Sequence, residues 1–282
     1  MKISMPKGAC DTHMHFYDGE MTAKPGTPNP GRYTVPMYRE LQSKLGLERV
    51  IVVQPNAYAY DNRVTLDSIK KLGANAKGVA VVEPGVSDAE LERLTKGGIC
   101  AIRIMTLHGG TLGFDVMDEL MARVHPFGWH ANIQLDGREL PKVEAQIKRL
   151  PGKFVIDHTG KFLEPVREDA EPFKALLRLV DTGRCWVKLS APYETSKTGA
   201  PKYEDVGRLA KVLVKHAPER MLWASNWPHP SVRPNVPDDV QLLELLLDWA
   251  PDDKTRRQIL ADNPAELYGF IDQLLGNQRS GG

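Results

Sequence analysis

Short apolar runs recur along the whole chain, each followed by an amphipathic stretch, and this alternation restricts the folds open to it. The runs are Gly8–His15, Arg49–Gln54, Gly78–Val82, Ile99–Ile104, His130–Leu135, Phe154–Asp157, Cys185–Leu189 and Arg220–Ser225. Val, Ile and Phe are common in them, and turn or polar residues follow, as in parallel strands buried on both faces. The segments between carry helical signals. Tyr38–Leu45 sets Leu41 and Leu45 four residues apart, Val64–Leu72 follows Asp61-Asn62 as a cap, and Ser87–Thr95 opens with Ser-x-x-Glu. Phe114–Val124, Val143–Leu150, Pro172–Asp181, Asp205–His216 and Asp238–Trp249 read the same way. A β-then-α unit repeated eight times predicts an α/β chain closed into a (β/α)8 TIM barrel, one domain over residues 1–275. Helical stretches at Lys254–Ile259 and Pro264–Leu275 are expected to pad its outside, and residues 276–282 to form a disordered tail. The rival, an open doubly wound sheet, wants a glycine-rich loop after the first strand; Asp11-Thr12-His13-Met14-His15 stands there instead.

Composition narrows the classes further. With 282 residues, 41% hydrophobic and 26% charged, the chain suits a soluble globular protein with a substantial core. A net charge of +1 argues against broad electrostatic binding to nucleic acid. No run approaches the roughly 20 apolar residues of a membrane span, and the N-terminus lacks a signal-like stretch, so a cytoplasmic location is expected. Cys10, Cys100 and Cys185 sit in apolar runs without a CxxC pair and read as reduced core residues. The sequence leaves assembly into a homo-oligomer open.

In a barrel of this kind the chemistry gathers at the C-terminal ends of the strands. The first strand ends in His13-x-His15, whose side chains project to one side and could bind a metal or share acid–base work. The sixth ends in Asp157-His158-Thr159-Gly160-Lys161 and the eighth in Ser225-Asn226-Trp227-Pro228-His229. The other ends deliver Gln54 and Asn56, Arg103, Gln134, and Lys188 followed by Tyr193. Arg103 or Lys188 alone would be read as half of a buried salt bridge; several such residues together suggest a pocket for an anionic, hydroxylated small molecule. His108, His125, His130 and His216 fall outside the pattern and read as structural or surface residues. The loop Phe16–Pro36, rich in Pro and Gly, should overhang the barrel mouth.

At these residues the sequence resembles the amidohydrolase superfamily, whose barrels place HxH on the first strand, His on a later strand and Asp on the eighth. Within it, the chain is similar to the branch of 2-pyrone-4,6-dicarboxylate lactonases and D-galactarolactone isomerases. The matching stretches are Asp11–His15, Val52–Gln54 with Asp61-Asn62, Arg103, Asp157–Lys161, Lys188, Asn226–His229 and Asn263-Pro264. Ile102-Arg103-Ile104-Met105, Gln134-x-Asp136-Gly137, Tyr193-Glu194-x-Ser196 and Ser231-Val232-Arg233 lean to the isomerase side, as do Asn226, where the lactonase pattern has Asp, and Lys161, where it has Arg. His13 leans to the lactonase side, since the isomerase pattern has Gln there.

Asn226 decides what the resemblance implies chemically. An amide offers no negative charge to a divalent cation and cannot deprotonate water near neutral pH. The resemblance therefore implies a metal-free site without cofactors, although His13, His15 and His158 could still form a three-histidine zinc site. The implied substrate is a small lactone that carries a carboxylate, and the implied reaction is isomerisation of a 1,5-lactone to a 1,4-lactone by the substrate's own hydroxyl. His15 and His158, assisted by His13, would polarise the carbonyl or shuttle protons, and Asn226 would orient the hydroxyl. Arg103, Lys161 and Lys188 would hold the carboxylate or the oxyanion, and Gln54, Asn56, Gln134 and Tyr193 the hydroxyls. His229 and Arg233 complete the expected binding set. Rival readings are a lactone hydrolase in the same fold, a metal-dependent hydrolase or decarboxylase, and a catalytically inert sugar-acid binder.

Overall fold

A computed structural model describes residues 1–232 and 235–270; Arg233 and the tail at 276–282 lie outside the described residues. Eight strands run in chain order around the sheet: β1 (Cys10–Met14), β2 (Arg49–Val53), β3 (Ala76–Ala80), β4 (Ile99–Met105), β5 (His130–Gln134), β6 (Phe154–Ile156), β7 (Cys185–Leu189) and β8 (Met221–Trp223). Each pairs with the next in parallel. Backbone bonds from His15 N to Trp227 O (2.8 Å) and from Asn226 N to His13 O (2.9 Å) join the last strand's exit to the first, so the sheet is a nearly closed TIM barrel. Asp11 reinforces that seam: it accepts from Ser225 Oγ at 2.5 Å and from Tyr38 Oη at 3.0 Å.

The outer ring comprises α1 (Val35–Leu45), α2 (Arg63–Leu72), α3 (Asp88–Lys96), α4 (Phe114–Val124), α5 (Leu140–Arg149), α6 (Glu171–Val180) and α7 (Glu204–His216). The expected periodicity does its work: α6 turns Phe173, Leu176, Leu179 and Val180 onto the sheet. Each such burial contributes on the order of 1.5–3 kcal/mol, which is why amphipathic spacing rather than propensity holds the ring together. Ser87 caps α3 through Glu90 N (3.2 Å), as its motif predicts, while the Glu90 side chain pairs with Arg93. Asn62 stands at the N-cap of α2 without bonding its turn; its side chain is spent on Val81, to whose N and O it bonds, tying the ends of β2 and β3 together.

Two expectations change beyond β8. The stretch Asp238–Trp249 divides at Leu245 into α8 (Asp239–Glu244) and α9 (Leu246–Trp249). The last segment, α10 (Asp253–Arg257), a π-helical turn at Gln258–Asp262 and α11 (Asn263–Tyr268), does more than pad the outside. Leu267, Tyr268 and Phe270 pack on the barrel-lining Cys10, Ile51, Val79 and Val155, closing the floor. Three aromatic and aliphatic side chains fill there what eight short strands leave open. Among the described residues no helix is long and apolar enough to cross a membrane. The cysteines are free, with Cys10 and Cys185 buried.

Candidate active site

At the opposite end the strands open into a cavity of about 210 Å³. His15, Asn56, Arg103, Gln134, His158, Lys161 and Asn226 line it, so seven of the side chains expected from the sequence do converge. A larger groove of about 770 Å³ lies outside the barrel between residues 16–36 and helices α1 and α2. Its lysine is already paired (Lys71 with Asp67, 2.5 Å), and it gathers no histidine. The smaller cavity is therefore the candidate site.

Backbone strain marks the turn that builds the site. His158, Thr159, Gly160 and Lys161 are four consecutive residues with positive φ, at 53°, 55°, 84° and 44°. Such a run is costly for residues with a Cβ, above all Thr159, and is held only because the surroundings over-determine it. Gly160 is obligatory: a Cβ there would meet Phe162 at 2.7 Å and Leu176 at 2.9 Å. The turn aims both His158 and Lys161 into the cavity. Asn226, with φ 58°, is aimed in the same way from the exit of β8.

The histidines form one hydrogen-bonded series whose tautomers follow from their partners. His15 Nδ1 lies 2.8 Å from Val53 O, which only accepts, so Nδ1 carries the proton and Nε2 is bare. His13 Nε2 donates to that nitrogen at 3.2 Å, leaving His13 Nδ1 to accept from Lys188 Nζ at 3.1 Å. Burial, reinforced by Lys188, pushes His13 far below the usual imidazole range, and burial with Arg103 nearby brings His15 down to about 3. Both are neutral and both have their nitrogens committed. His158 differs. Its Nδ1 meets Ser190 Oγ at 2.8 Å, and the serine proton is directed to Lys188 O at 3.5 Å, so His158 Nδ1 donates and Nε2 is left bare, without a hydrogen-bond partner among the described residues, on a ring that lines the cavity. Burial, then Lys161, holds His158 well below its ordinary value, keeping that nitrogen unprotonated.

Lys188 lies fully buried beneath His13, outside the cavity lining. It donates to Asn132 Oδ1 at 2.7 Å and faces Asp157 Oδ1 at 3.1 Å, out of line for a hydrogen bond but in ion-pair contact. Burial raises Asp157, yet Lys188, His158 and Arg103 together hold it below the usual carboxylate value. His13, Asp157 and His158 bring ligand atoms within 4.8 Å of one another, the geometry of a metal site. The ammonium of Lys188 already takes His13 Nδ1 and Asp157 Oδ1, and Asn226 supplies no carboxylate, so this donor set does not suit a divalent cation.

Four expected binding residues stand behind the wall, for one physical reason: their polar atoms are already satisfied within the protein. Besides Lys188, Gln54 spends its side chain on Ala59 O, Asp61 O and Thr65 Oγ1. Tyr193 and His229 form a directed series: His229 Nε2 lies 3.0 Å from Asp239, so its Nδ1 accepts from Tyr193 Oη at 2.8 Å, and that oxygen accepts from Asn226 Nδ2 at 2.9 Å. Asn226 Nδ2 also donates to Glu194 Oε1 at 3.3 Å. A carboxylate only accepts, so the NH2 end faces Glu194, and Oδ1 is what Asn226 offers the cavity. Trp227 packs against Phe16, Tyr33 and Tyr38, supporting the base of the overhanging loop rather than the cavity wall.

Sequence reasoning gave no role to Asn132 and Ser190, nor to Asp157, Glu194 and Ser231, which it met only within longer motifs. Asn132 could have been found, as Lys188 was, as a polar residue inside an apolar strand run; Glu194 and Ser231, in turns, gave no such signal. His108, read as a bystander, lines the cavity mouth with Met105 and Pro28. Pro28 belongs to the overhanging loop, whose base is pinned by the Tyr17–Tyr33 bridge and whose middle is held by Lys24 N to Ala57 O (2.7 Å) and Lys24 Nζ to Gly110 O (2.9 Å).

The charge left over is Arg103. Its NH1 and NH2 reach neutral acceptors, Gln54 O at 2.8 Å and Gln134 Oε1 at 2.9 Å, and its buried Nε has no partner among the described residues. Lys161 is paired with Glu194. A small cavity thus presents an uncompensated guanidinium, a bare imidazole nitrogen and a neutral amide oxygen.

Comparison with known proteins shows the family. A family model described as amidohydrolase matches residues 10–270. A D-galactarolactone isomerase from Agrobacterium fabrum is 38% identical over 270 residues, covering 94% of this chain and 92% of that protein. A 2-pyrone-4,6-dicarboxylate hydrolase from Comamonas testosteroni is 32% identical, covering 95% and 92%. An apo crystal structure from Agrobacterium tumefaciens superposes with a TM-score of 0.89 at 36% identity, covering 95% of this chain and 98% of its own. Matched over almost its whole length by the family model and by relatives above 30% identity, the chain belongs to the amidohydrolase family.

Proposed function

We propose that the protein is a metal-independent lactone isomerase that converts the 1,5-lactone of a sugar diacid into the 1,4-lactone. The observation that carries this reading is Asn226. Both hydrogens of its amide are committed, to Tyr193 and Glu194, and it offers the cavity a neutral oxygen at the position where the superfamily pattern has the Asp that takes the proton of an attacking water.

Isomerisation needs no activated water, because the nucleophile is part of the substrate and starts at a high effective concentration. In the proposed reaction Arg103 binds the free carboxylate, and Asn226 Oδ1 accepts a sugar hydroxyl to fix the ring. His158 Nε2 removes the proton of the 4-hydroxyl as its oxygen attacks C1. Lys161 donates to the oxyanion of the tetrahedral intermediate. When the C1–O5 bond breaks, the imidazolium of His158 returns its proton to O5. The two oxygens sit on adjacent carbons, so one imidazole serves both. His13 and His15 maintain the tautomer series, and Lys188 takes the place expected of a cation. The loop carrying Pro28, held by Lys24, limits entry of water, whose attack is the competing outcome.

The test is NMR of the product from galactaro-1,5-lactone in metal-free buffer. Ring exchange without an open-chain acid supports the proposal; release of the diacid as the main product rejects it. Asn226→Asp should then raise the hydrolytic share. Lactone hydrolysis is the second reading, favoured by the intact His13–His15 pair and the hydrolase relative, and the same spectra decide between them.

A further inference from the structure

The ionic groups of the site do not cancel evenly. Lys188 faces Asp157, Lys161 faces Glu194, and Arg103 contacts no carboxylate among the described residues. Glu194 is held from several sides: Lys161 at Oε2, and at Oε1 Ser231 Oγ (2.5 Å) and Asn226 Nδ2 (3.3 Å). Its side chain is only 9% exposed, yet it lines the cavity. Burial raises its carboxyl, but Lys161 and His158 bring it down to about 2, so it is ionised throughout the working range.

We propose that Glu194 is a specificity-determining residue that restricts the cavity to lactones bearing a single carboxylate. It does so in two ways. By pairing with Lys161 it leaves that ammonium able to donate hydrogen bonds but unable to neutralise a further anion. By lining the wall with its own charge it repels a second carboxylate placed within about 4–6 Å, in a site too buried for water to screen. The substrate's remaining polar groups must then be neutral and able to donate, as hydroxyls are, since the wall offers the acceptors Glu194 and Asn226 Oδ1. The inference rests on the cavity being the lactone site.

The experiment is isothermal titration of the wild type, Glu194→Gln and Glu194→Asp with two probes in metal-free buffer. One is galactaro-1,4-lactone, with one carboxylate, and the other is pyrone-4,6-dicarboxylate, with two. The wild type should favour the monocarboxylate by about tenfold or more. Glu194→Gln should cut that ratio by about tenfold, through tighter dicarboxylate binding, and Glu194→Asp should restore it. A merely structural role would weaken both probes together. The proposal is overturned if the wild type binds the dicarboxylate equally well, or if Glu194→Gln still binds the monocarboxylate with an unchanged ratio. Failure of the wild type to bind either probe removes the lactone reading and this inference with it. Should Glu194→Gln not fold, Lys161→Met serves in its place: Glu194 is then uncompensated, so the preference must widen, and an unchanged ratio overturns the proposal.

Discussion

Replacing Lys188 by Met removes the cation at the centre of the site while keeping most of the side chain's volume. The ammonium is 0% exposed and has Asn132 Oδ1 at 2.7 Å, His13 Nδ1 at 3.1 Å and Asp157 Oδ1 at 3.1 Å around it. Asp157 would keep one bond, from Asn132 Nδ2 at 2.7 Å, and lose its counter-ion. Breaking a buried pair by removing one partner costs about 3–5 kcal/mol. For a domain of this size that lowers Tm by on the order of 10 °C. The loss should depend on pH, with a sign that can be worked out. In the wild type Asp157 is held below its ordinary 3.8, so it contributes stability that is present above that value and lost as pH falls through its folded pKa. Without Lys188, burial dominates and the folded pKa rises above 3.8. The proton is then bound more tightly in the native state, so stability is retained below 3.8 and lost as pH rises through the new value. The variant's deficit should therefore be smaller near pH 4 than near pH 8, by on the order of 1 kcal/mol for each unit by which the variant's folded pKa exceeds 3.8. Urea denaturation of both proteins at the two pH values measures it. Equal stability at pH 8, or a deficit that does not change with pH, would refute the account of Lys188 as the counter-ion of Asp157.

Arg103→Met should raise KM by about 30-fold or more, because it removes the charge-assisted partner of the substrate carboxylate, with a smaller fall in Tm than Lys188→Met, since Arg103 acts on Asp157 only at a distance; steady-state kinetics and thermal melts check both parts. His158→Gln should lower kcat by about 10²–10⁴-fold with intact binding. In the wild type the acid-side decline of kcat/KM should lie well below pH 6.5, since His158 must be unprotonated to act and its pKa is lowered by burial and Lys161; a decline at 6.5 would contradict the assignment. Lys24→Met removes the side-chain bond to Gly110 O and should increase the hydrolysed fraction of product, read by NMR, with about 1 kcal/mol or less lost in stability.

Much of this molecule is written in local sequence. The apolar runs and the amphipathic spacing of stretches such as Phe173–Val180 specify strands and helices because burial acts on each segment's own periodicity. The order of the runs then leaves the parallel barrel as the arrangement that buries them all. Since the strands are parallel, every strand's C-terminal end falls on the same rim, and that is why His15, Arg103, Gln134, His158, Lys161 and Asn226 could be named together from sequence. Which polar residue meets which is a different matter. Lys188 and Gln54 have the same credentials in sequence as Arg103, an ionic or polar side chain at the end of an apolar run. Only the packed barrel shows that Lys188 is covered by His13, Asn132 and Asp157, that Gln54 is consumed by its own turn, and that Arg103 keeps an unpaired charge. Glu194 reaches the cavity from a turn and is paired with a lysine 33 residues earlier. Pairing of that kind is settled by distances between strands far apart in the chain, where desolvation selects the partner. Hydrophobic periodicity carries no information about it.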